Sequence, residues 1–495
     1  MTRDANEPQA VGNQAPNDAT IALRAISSDI AIQVVGRFAN LALGIVVTAL
    51  LARTLGNSGF GVWSTLLAIS SLVAVVGNPG LEQVAVRCAA AEPEREPQWL
   101  GTLLILRQLL SVLAMALCIG TVVLIAPNRE ALIAGVVLML SLLVAAASSL
   151  RVVFQLRVRN SYAIAAMTVQ SILWAAVVVW AYATGAGIVA LAVGFTITTA
   201  IASILQGLLA LRLARVRFDG IRRHSTEMIK VGVPVAIGGM FVVGYGQIDQ
   251  VLVFKIAGSQ EAGFYAAAYR LFSQSSFVPV SVSTTVFALL AVSFVGDSEK
   301  FRVLLQTSLE LLLAVAIGVL ALTAVYAGPI ISLLYGHDYD RAAAALPVLM
   351  GAFVLVSVGY LQDLLVIISR RQNRFVIAAA LALALNVGLN VALIPRYGFM
   401  AAAWITLVTE AFIVAARWLI VRSKLPARPV LGRIPRLVLA GAVLLGILIA
   451  ARKLALPLVP ALVGSAIVYP ALLFAVRAVR PSDIRLVLAR GNEVV

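Results

Sequence analysis

Four acidic side chains, Asp249, Glu310, Asp363 and Glu410, sit inside long apolar stretches of the chain. Three arginines, Arg37, Arg107 and Arg270, lie roughly 12 Å into other stretches, at 1.5 Å of helix rise per residue. A charge in the middle of a hydrocarbon layer costs about 2.5–3.5 kcal/mol even on permissive scales, so a retained one faces a cavity or a partner. Deep arginines favour an anionic ligand, and deep carboxylates a cation or a proton. Glu410 is the deepest acid. Asn386 and Asn390 are four residues apart and share one face of a helix, as do Thr406 and Glu410. Such Asn and Thr residues either ligate an ion or make interhelical hydrogen bonds. Asp363 and Glu310 lie nearer the ends of their stretches, within reach of interfacial water, where a gate or coupling role is open. Lys255 and Arg417 are near enough to the ends to snorkel.

Other chemistries find no residues to carry them. Cys88 and Cys118 are the only cysteines and give neither a disulfide framework nor metal-ligand spacing, and His224 and His337 are isolated. The sequence contains no nucleophile–base pair and no Gly-rich Lys-Ser/Thr loop for ATP. An enzyme is not expected, and neither is a cofactor.

The elements that position these charges are read from hydropathy. The chain has 495 residues, 61% of them hydrophobic, and a mean hydropathy of +0.99. That is far beyond the needs of a soluble core. We read about fourteen transmembrane helices at 29–51, 59–78, 99–126, 131–150, 161–184, 188–211, 231–257, 262–295, 303–326, 342–369, 375–394, 399–421, 437–451 and 458–476. The net charge of +16 does not point to nucleic acid, because the basic residues lie in short loops between spans. Of the 38 Lys and Arg residues, 27 fall in one alternate set of loops and tails and 6 in the other. By the positive-inside rule both termini are cytoplasmic, in a plasma (inner) membrane. Residues 1–28 are polar and expected to be a disordered cytoplasmic tail, with no cleaved signal peptide before the first span.

The chain also repeats itself. Arg53, Gly56, Gly61 and Trp63 join spans 1 and 2, and Lys255, Gly258, Gly263 and Tyr265 join spans 7 and 8 at the same spacing. The turn Gly187-Ile-Val-Ala190 before span 6 resembles Gly398-Phe-Met-Ala401 before span 12. Six spans per unit is an even number, so two six-helix lobes run in parallel repeat about an axis along the membrane normal. The expected organisation is a tail (1–28), an N-lobe (29–212), a basic cytoplasmic linker (213–230) and a C-lobe (231–421). A basic loop (422–436), an appended helix pair (437–476) and a cytoplasmic tail (477–495) complete it. Duplicated bundles that can rock about a shared site suggest a transporter.

At these turns the sequence resembles the polysaccharide and oligosaccharide flippases of the multidrug/oligosaccharidyl-lipid/polysaccharide exporter superfamily. The stretches that carry the resemblance are LLARTLGNSGFGVW from Leu50, QIDQVLVFKIAGSQEAGFYAAAYRLF from Gln247 and NVALIPRYGFMAAAWITLVTE from Asn390. The resemblance implies two lobes around a central cavity through which a polyprenyl-diphosphate-linked glycan crosses the membrane. The AYRLF phrase resembles the lipid II flippase branch, which implies that Arg270 faces the cavity and binds the diphosphate, with Arg37 and Arg107 as further candidates. A planar guanidinium pairs with phosphate oxygens bidentately and stays charged. The same branch implies a cation site, sodium or a proton, at Asp249, Asn386, Asn390 and Thr406. The branch has an Asp where this chain has Asn390, so Glu410, one turn along span 12, is expected to restore the missing charge. Oxygen ligands of this kind suit a hard cation.

Two other functions compete with a flippase. A multidrug/cation antiporter of the same superfamily would favour an acidic, aromatic cavity. A membrane glycan polymerase or ligase would need a large external loop with basic catalytic residues, and the segment 327–341 holds only His337, Asp338, Asp340 and Arg341 as acidic or basic side chains. A glycan polymerase or glycosyltransferase is the expected kind of partner for a monomeric transport unit. The orientation is testable by labelling in intact cells. A cysteine placed at Arg222 should react only after permeabilisation, and labelling from outside would overturn the arrangement.

Overall fold

A computed structural model describes residues 15–480 apart from Val158 and Arg428, together with Asp483. Side chains of residues 15–35, Arg37, Phe38 and Val235 lie outside this description, as does the rest of each terminus. The described chain is helical. Helix α1 (Ala15–Gly77) carries the first two spans, and α3 (Glu96–Ile125), α4 (Arg129–Ala145), α6 (Ser161–Thr184) and α7 (Ile188–Leu211) complete the N-lobe. Helices α8 (Ile221–Ala257), α9 (Ser259–Ser275), α10 (Phe277–Gly296), α11 (Ser298–Tyr335), α12 (Ala345–Ile368), α13 (Gln372–Tyr397) and α14 (Phe399–Val421) form the C-lobe. Helices α15 (Ile434–Lys453) and α16 (Leu458–Ala475) are the appended pair, and α15 lies along α11. Thirteen helical stretches among the described residues are long and apolar enough to cross a membrane. The first holds two spans, because α1 breaks at Gly56, and this gives fourteen.

Several boundaries differ from the hydropathy reading, each for a local reason. Helix begins at Ala15, where the polar composition predicts disorder through residue 28. The eighth span is two helices meeting at Ser276, because Pro279 has no N–H for the Ser275 carbonyl one turn back. Helix α11 runs on to Tyr335 with a kink at Tyr326, three residues before Pro329. The fourth span ends in a 3-10 turn over Ala146–Arg151, and the loop after span 2 contains a short helix, α2 (Leu81–Ala91). The segment before α12 is also not an open loop. It forms a 3-10 helix, His337–Ala344, whose Tyr339 is buried.

The two duplicated turns have the same backbone shape, with Gly56 at φ 63°, ψ 175° and Gly258 at φ 92°, ψ 175°. Residues with a β-carbon avoid this region, so glycine is required at both. The second pair of turns does not match this way: Gly187 has φ −76° and Gly398 φ 56°.

The first pair of turns meet each other. A β-carbon at Gly61 would fall on the Ser259 carbonyl, and one at Gly263 would fall on Asn57. Ser58 and Ser259 share a hydroxyl hydrogen bond of 2.5 Å. Around this contact Arg53 Nε donates to the Leu334 carbonyl (3.0 Å) and Tyr339 OH to the Ala52 carbonyl (2.9 Å). Phe60 packs on Tyr335 and Tyr339. The lobes are therefore sealed together at the membrane face opposite the basic loops. Replacing Ser58 and Ser259 by cysteine should give a disulfide under mild oxidation, read as a gel band that survives protease cleavage of the interlobe linker. If the halves separate, the turns do not meet.

Candidate functional site

In the C-lobe, four residues from three helices meet at one buried carboxylate. Asp249 of α8 is 2% exposed, and Asn386 and Asn390 of α13 are 0% exposed. Asn390 Nδ2 donates to Asp249 Oδ1 (2.7 Å) and to Asn386 Oδ1 (3.0 Å). Thr406 of α14 donates to Asp249 Oδ2 (3.0 Å). The four residues that the sequence groups are thus brought together. It misses Tyr265 of α9, whose hydroxyl donates to Asp249 Oδ2 (3.2 Å), and Thr409, which accepts from Asn386 Nδ2 (3.4 Å). Tyr265 carries a sequence signal nonetheless, since it is the aromatic that ends the repeated turn.

The donor set tests whether a cation fits. With Asn390 Nδ2 facing three acceptors, the third being the Asn386 carbonyl (2.9 Å), its Oδ1 is buried without a partner. Reversing the amide would point that oxygen towards Asp249 and Asn386 Oδ1, an arrangement that needs a positive charge between them. Together with the Thr406 hydroxyl, these four oxygens suit a monovalent hard cation. Among the described residues, no three His, Cys, Asp or Glu side chains group to hold a metal.

The corresponding N-lobe positions are apolar. Counting from the shared glycines, Val47 stands where the C-lobe has Asp249, Trp63 where it has Tyr265, and Phe195 where it has Thr406. Trp63 stacks on Trp174 with centroids 5.7 Å apart, and Phe195 meets both edge-on. The duplicated fold thus carries its polar site in one lobe only.

Glu410 makes no hydrogen bond to the Asp249 set among the described residues, although Asp249 is one of its charged neighbours. Its first electrostatic neighbour is Arg417, then Asp363, then Asp249. Arg417 does not snorkel either. It is 5% exposed, with Nη2 donating to Asp363 Oδ2 (3.3 Å) and Nε 2.8 Å from Oδ1, off the N–H direction. Phe375 covers it at 4.9 Å, and Gly359 leaves room for it, since a β-carbon there would lie 2.8 Å from Nη1. Asp363 is thus an ion-pair partner of Arg417, with its own side chain 38% exposed.

Glu310 is placed differently again. It is 3% exposed and accepts from the Arg433 backbone N–H (2.9 Å) and from Gln306 Nε2 (2.7 Å). The Arg433 side chain pairs with it at 2.9 Å and also with Asp483. Gly432, at φ 47°, lets the chain pass against Gln306 and Glu310. Glu310 anchors the loop that leads into α15, and no gate role is seen.

The arginines separate as well. Arg270 is exposed, although its helix is buried over Ala262–Ala268. Its guanidinium has no hydrogen-bond or ion-pair partner among the described residues, and the Tyr335 hydroxyl is its titratable neighbour. It lies seven residues beyond Gly263, roughly 10 Å along α9 from the seal. Arg107 is elsewhere, in a cavity lined only by N-lobe residues. Arg37 lies on α1, but its side chain is outside the described residues.

The family model described as polysaccharide biosynthesis protein matches residues 50–344. No curated protein sequence matches significantly. Among solved structures, the chain is similar to the lipid II flippase MurJ in an inward closed conformation. The TM-score is 0.70 at 14% identity, covering 93% of this chain and 100% of that one. It is also similar to an inward-facing multidrug resistance MATE family transporter of the MOP superfamily, with a TM-score of 0.60 at 15% identity, covering 78% and 93%. A third likeness, to a MOP superfamily transporter from Pyrococcus furiosus with a binding pocket of reverse polarity, has a TM-score of 0.51 at 14% identity, covering 81% and 92%.

Proposed function

The chain belongs to the polysaccharide biosynthesis protein family, and from that premise we propose that it is a flippase for a lipid-linked oligosaccharide. Its substrate is a glycan on a polyprenyl diphosphate, carried from the inner to the outer leaflet of the plasma membrane by alternating access. The observation that carries this reading is Arg270: an exposed, unpaired guanidinium about two helical turns from a closed interlobe seal. The cost of a charge at that depth calls for a ligand of opposite sign, and a diphosphate presents oxygens that a planar fork can grip. A cationic drug would be repelled by the same charge, which disfavours the antiporter reading. The 27-to-6 split of basic residues puts both termini and the linker in the cytoplasm and the glycine seal outside. The conformation described is then the one closed to the exterior.

Export of surface glycan tests the role of Arg270. Losing one charged hydrogen-bonding partner removes about 1.5–3 kcal/mol of interaction, or roughly one to two decades of affinity. Arg270→Ala should abolish export while the protein still accumulates in the membrane. Arg270→Lys should restore it only in part, since the charge survives but the fork does not. Undiminished export by the alanine variant would refute the assignment.

For coupling, we infer that Asp249, Asn386, Asn390 and Thr406 hold a monovalent cation or, at Asp249, a proton. Binding drives transport only if the cation prefers one access state over the other. In proteoliposomes, Asp249→Asn should make flipping insensitive to sodium and pH, while Asn390→Asp should strengthen the sodium dependence. Indifference of the unaltered protein to both ions would mean that the polar set only fastens three helices together.

A further inference from the structure

A cavity of ≈ 340 Å³ lies away from Arg270, between the C-terminal ends of α1 and α4 and the middle of α3. Ser71, Asn78, Arg107, Ser111, Leu142 and Ala145 line it. Arg107 Nη1 donates to the Gly77 carbonyl at the end of α1 (2.6 Å), and its Nε is buried without a partner. A guanidinium has five N–H donors, so one bond to a carbonyl leaves most of its capacity unused.

The surrounding charges do not neutralise it. Glu82, the nearby carboxylate, is taken up by Arg151 Nε at 2.7 Å and by Asn78 Nδ2 at 3.0 Å. Arg107 and Arg151 against Glu82 leave one positive charge beside an open cavity. Asn78, with its nitrogen occupied, has a buried Oδ1 that lacks a donor. Ser71, at the mouth, is exposed. The wall thus offers unused N–H donors, a net positive charge and an acceptor for one hydroxyl.

We propose that this cavity binds a phosphate ester carrying a free hydroxyl, with Arg107 gripping the phosphate and Asn78 accepting from the hydroxyl. Two sources share that chemistry: the headgroup of an anionic phospholipid, and a soluble polyol or sugar phosphate. The site is distinct from the Arg270 position and does not depend on the flippase reading. It also adjoins the turn on which the lobes touch at this face, since a β-carbon on Gly232 of the C-lobe would lie 2.6 Å from the Pro79 carbonyl.

The test uses the full chain in phosphatidylcholine nanodiscs, with glycerol 1-phosphate added in solution or phosphatidylglycerol added to the bilayer. Binding is read by thermal shift and by native mass spectrometry. The unaltered protein should bind at least one probe, and the probe that binds identifies the source. Arg107→Gln should weaken that binding about ten- to a hundredfold. Arg107 also holds the end of α1, so its loss could impair folding. Ser71→Phe keeps Arg107 and plugs the exposed mouth, and it should abolish binding too. Failure of both probes to bind, or equal binding by Arg107→Gln and Ser71→Phe, would overturn the proposal.

Discussion

The structure depends on two glycine turns approaching closely enough to touch backbone to backbone. Between helices in lipid there is no hydrophobic driving force, so association rests on close packing and hydrogen bonds. Gly61 against the Ser259 carbonyl, and Gly263 against Asn57, supply the closest packing that a chain can achieve. What bridges the two turns is neutral or single-ended: a serine pair, an arginine on carbonyls, Tyr339 edge-on to Phe60 and Tyr335 tilted against it. A dispersion contact is worth only about 0.1–0.2 kcal/mol per atom pair. A seal built from such contacts closes when the surfaces fit and opens without exposing an unpaired buried charge. That quality is what the proposed alternating access would ask of this interface.

Away from the seal, charges in the apolar layer are handled in two ways. Arg417 is paired with Asp363 under Phe375, and Glu310 with Arg433, and both pairs tie elements together. Arg270 and Arg107 instead retain free donors beside open space. Depth along a span cannot distinguish these cases, because cost depends on depth while role depends on the partner. The partner of Arg417 sits on α12, 54 residues away in sequence.

That difference explains what could be read from the residues alone. The fourteen spans, the doubled turn and the Asp249–Asn386–Asn390–Thr406 set were legible. Hydropathy, glycine spacing and helical phase are local signals, and family resemblance joined the distant members. Glu410, one helical turn from Thr406, has Asp249 among its charged neighbours, yet its strongest one lies the other way, at Arg417. Glu310 misled because a buried acid near a helix end resembles a gate until the loop that returns over it is seen. Arg417 looked free to snorkel, and Gly359 is the residue that makes room for it instead. Tyr265 was missed because its repeat partner, Trp63, carries no hydroxyl, so the symmetry that revealed the turn hid the departure from it.

The departure from symmetry also connects the polar site to the seal. Tyr265 follows Gly263 by two residues on α9, so the helix that packs against Asn57 also donates to Asp249. From the other side, Gln250, next to Asp249, donates across the lobe boundary to Thr65 (3.1 Å). An amide at position 390 suits this arrangement better than a second carboxylate would. Its nitrogen closes the Asp249 ring when no cation is held, whereas a second carboxylate would set two like charges against each other. A cation between Asp249 and Asn386 would require the amide to turn, bringing its unpaired oxygen to the ion and withdrawing the nitrogen from the carboxylate. The Tyr265 and Thr406 hydroxyls would then compete with the ion for Asp249 Oδ2. Any movement of Tyr265 is carried by α9 to Gly263, and any movement of Asp249 by α8 to Gln250. Both of those residues touch the opposite lobe, so an ion held at Asp249 would be joined to lobe contact through two short stretches of helix.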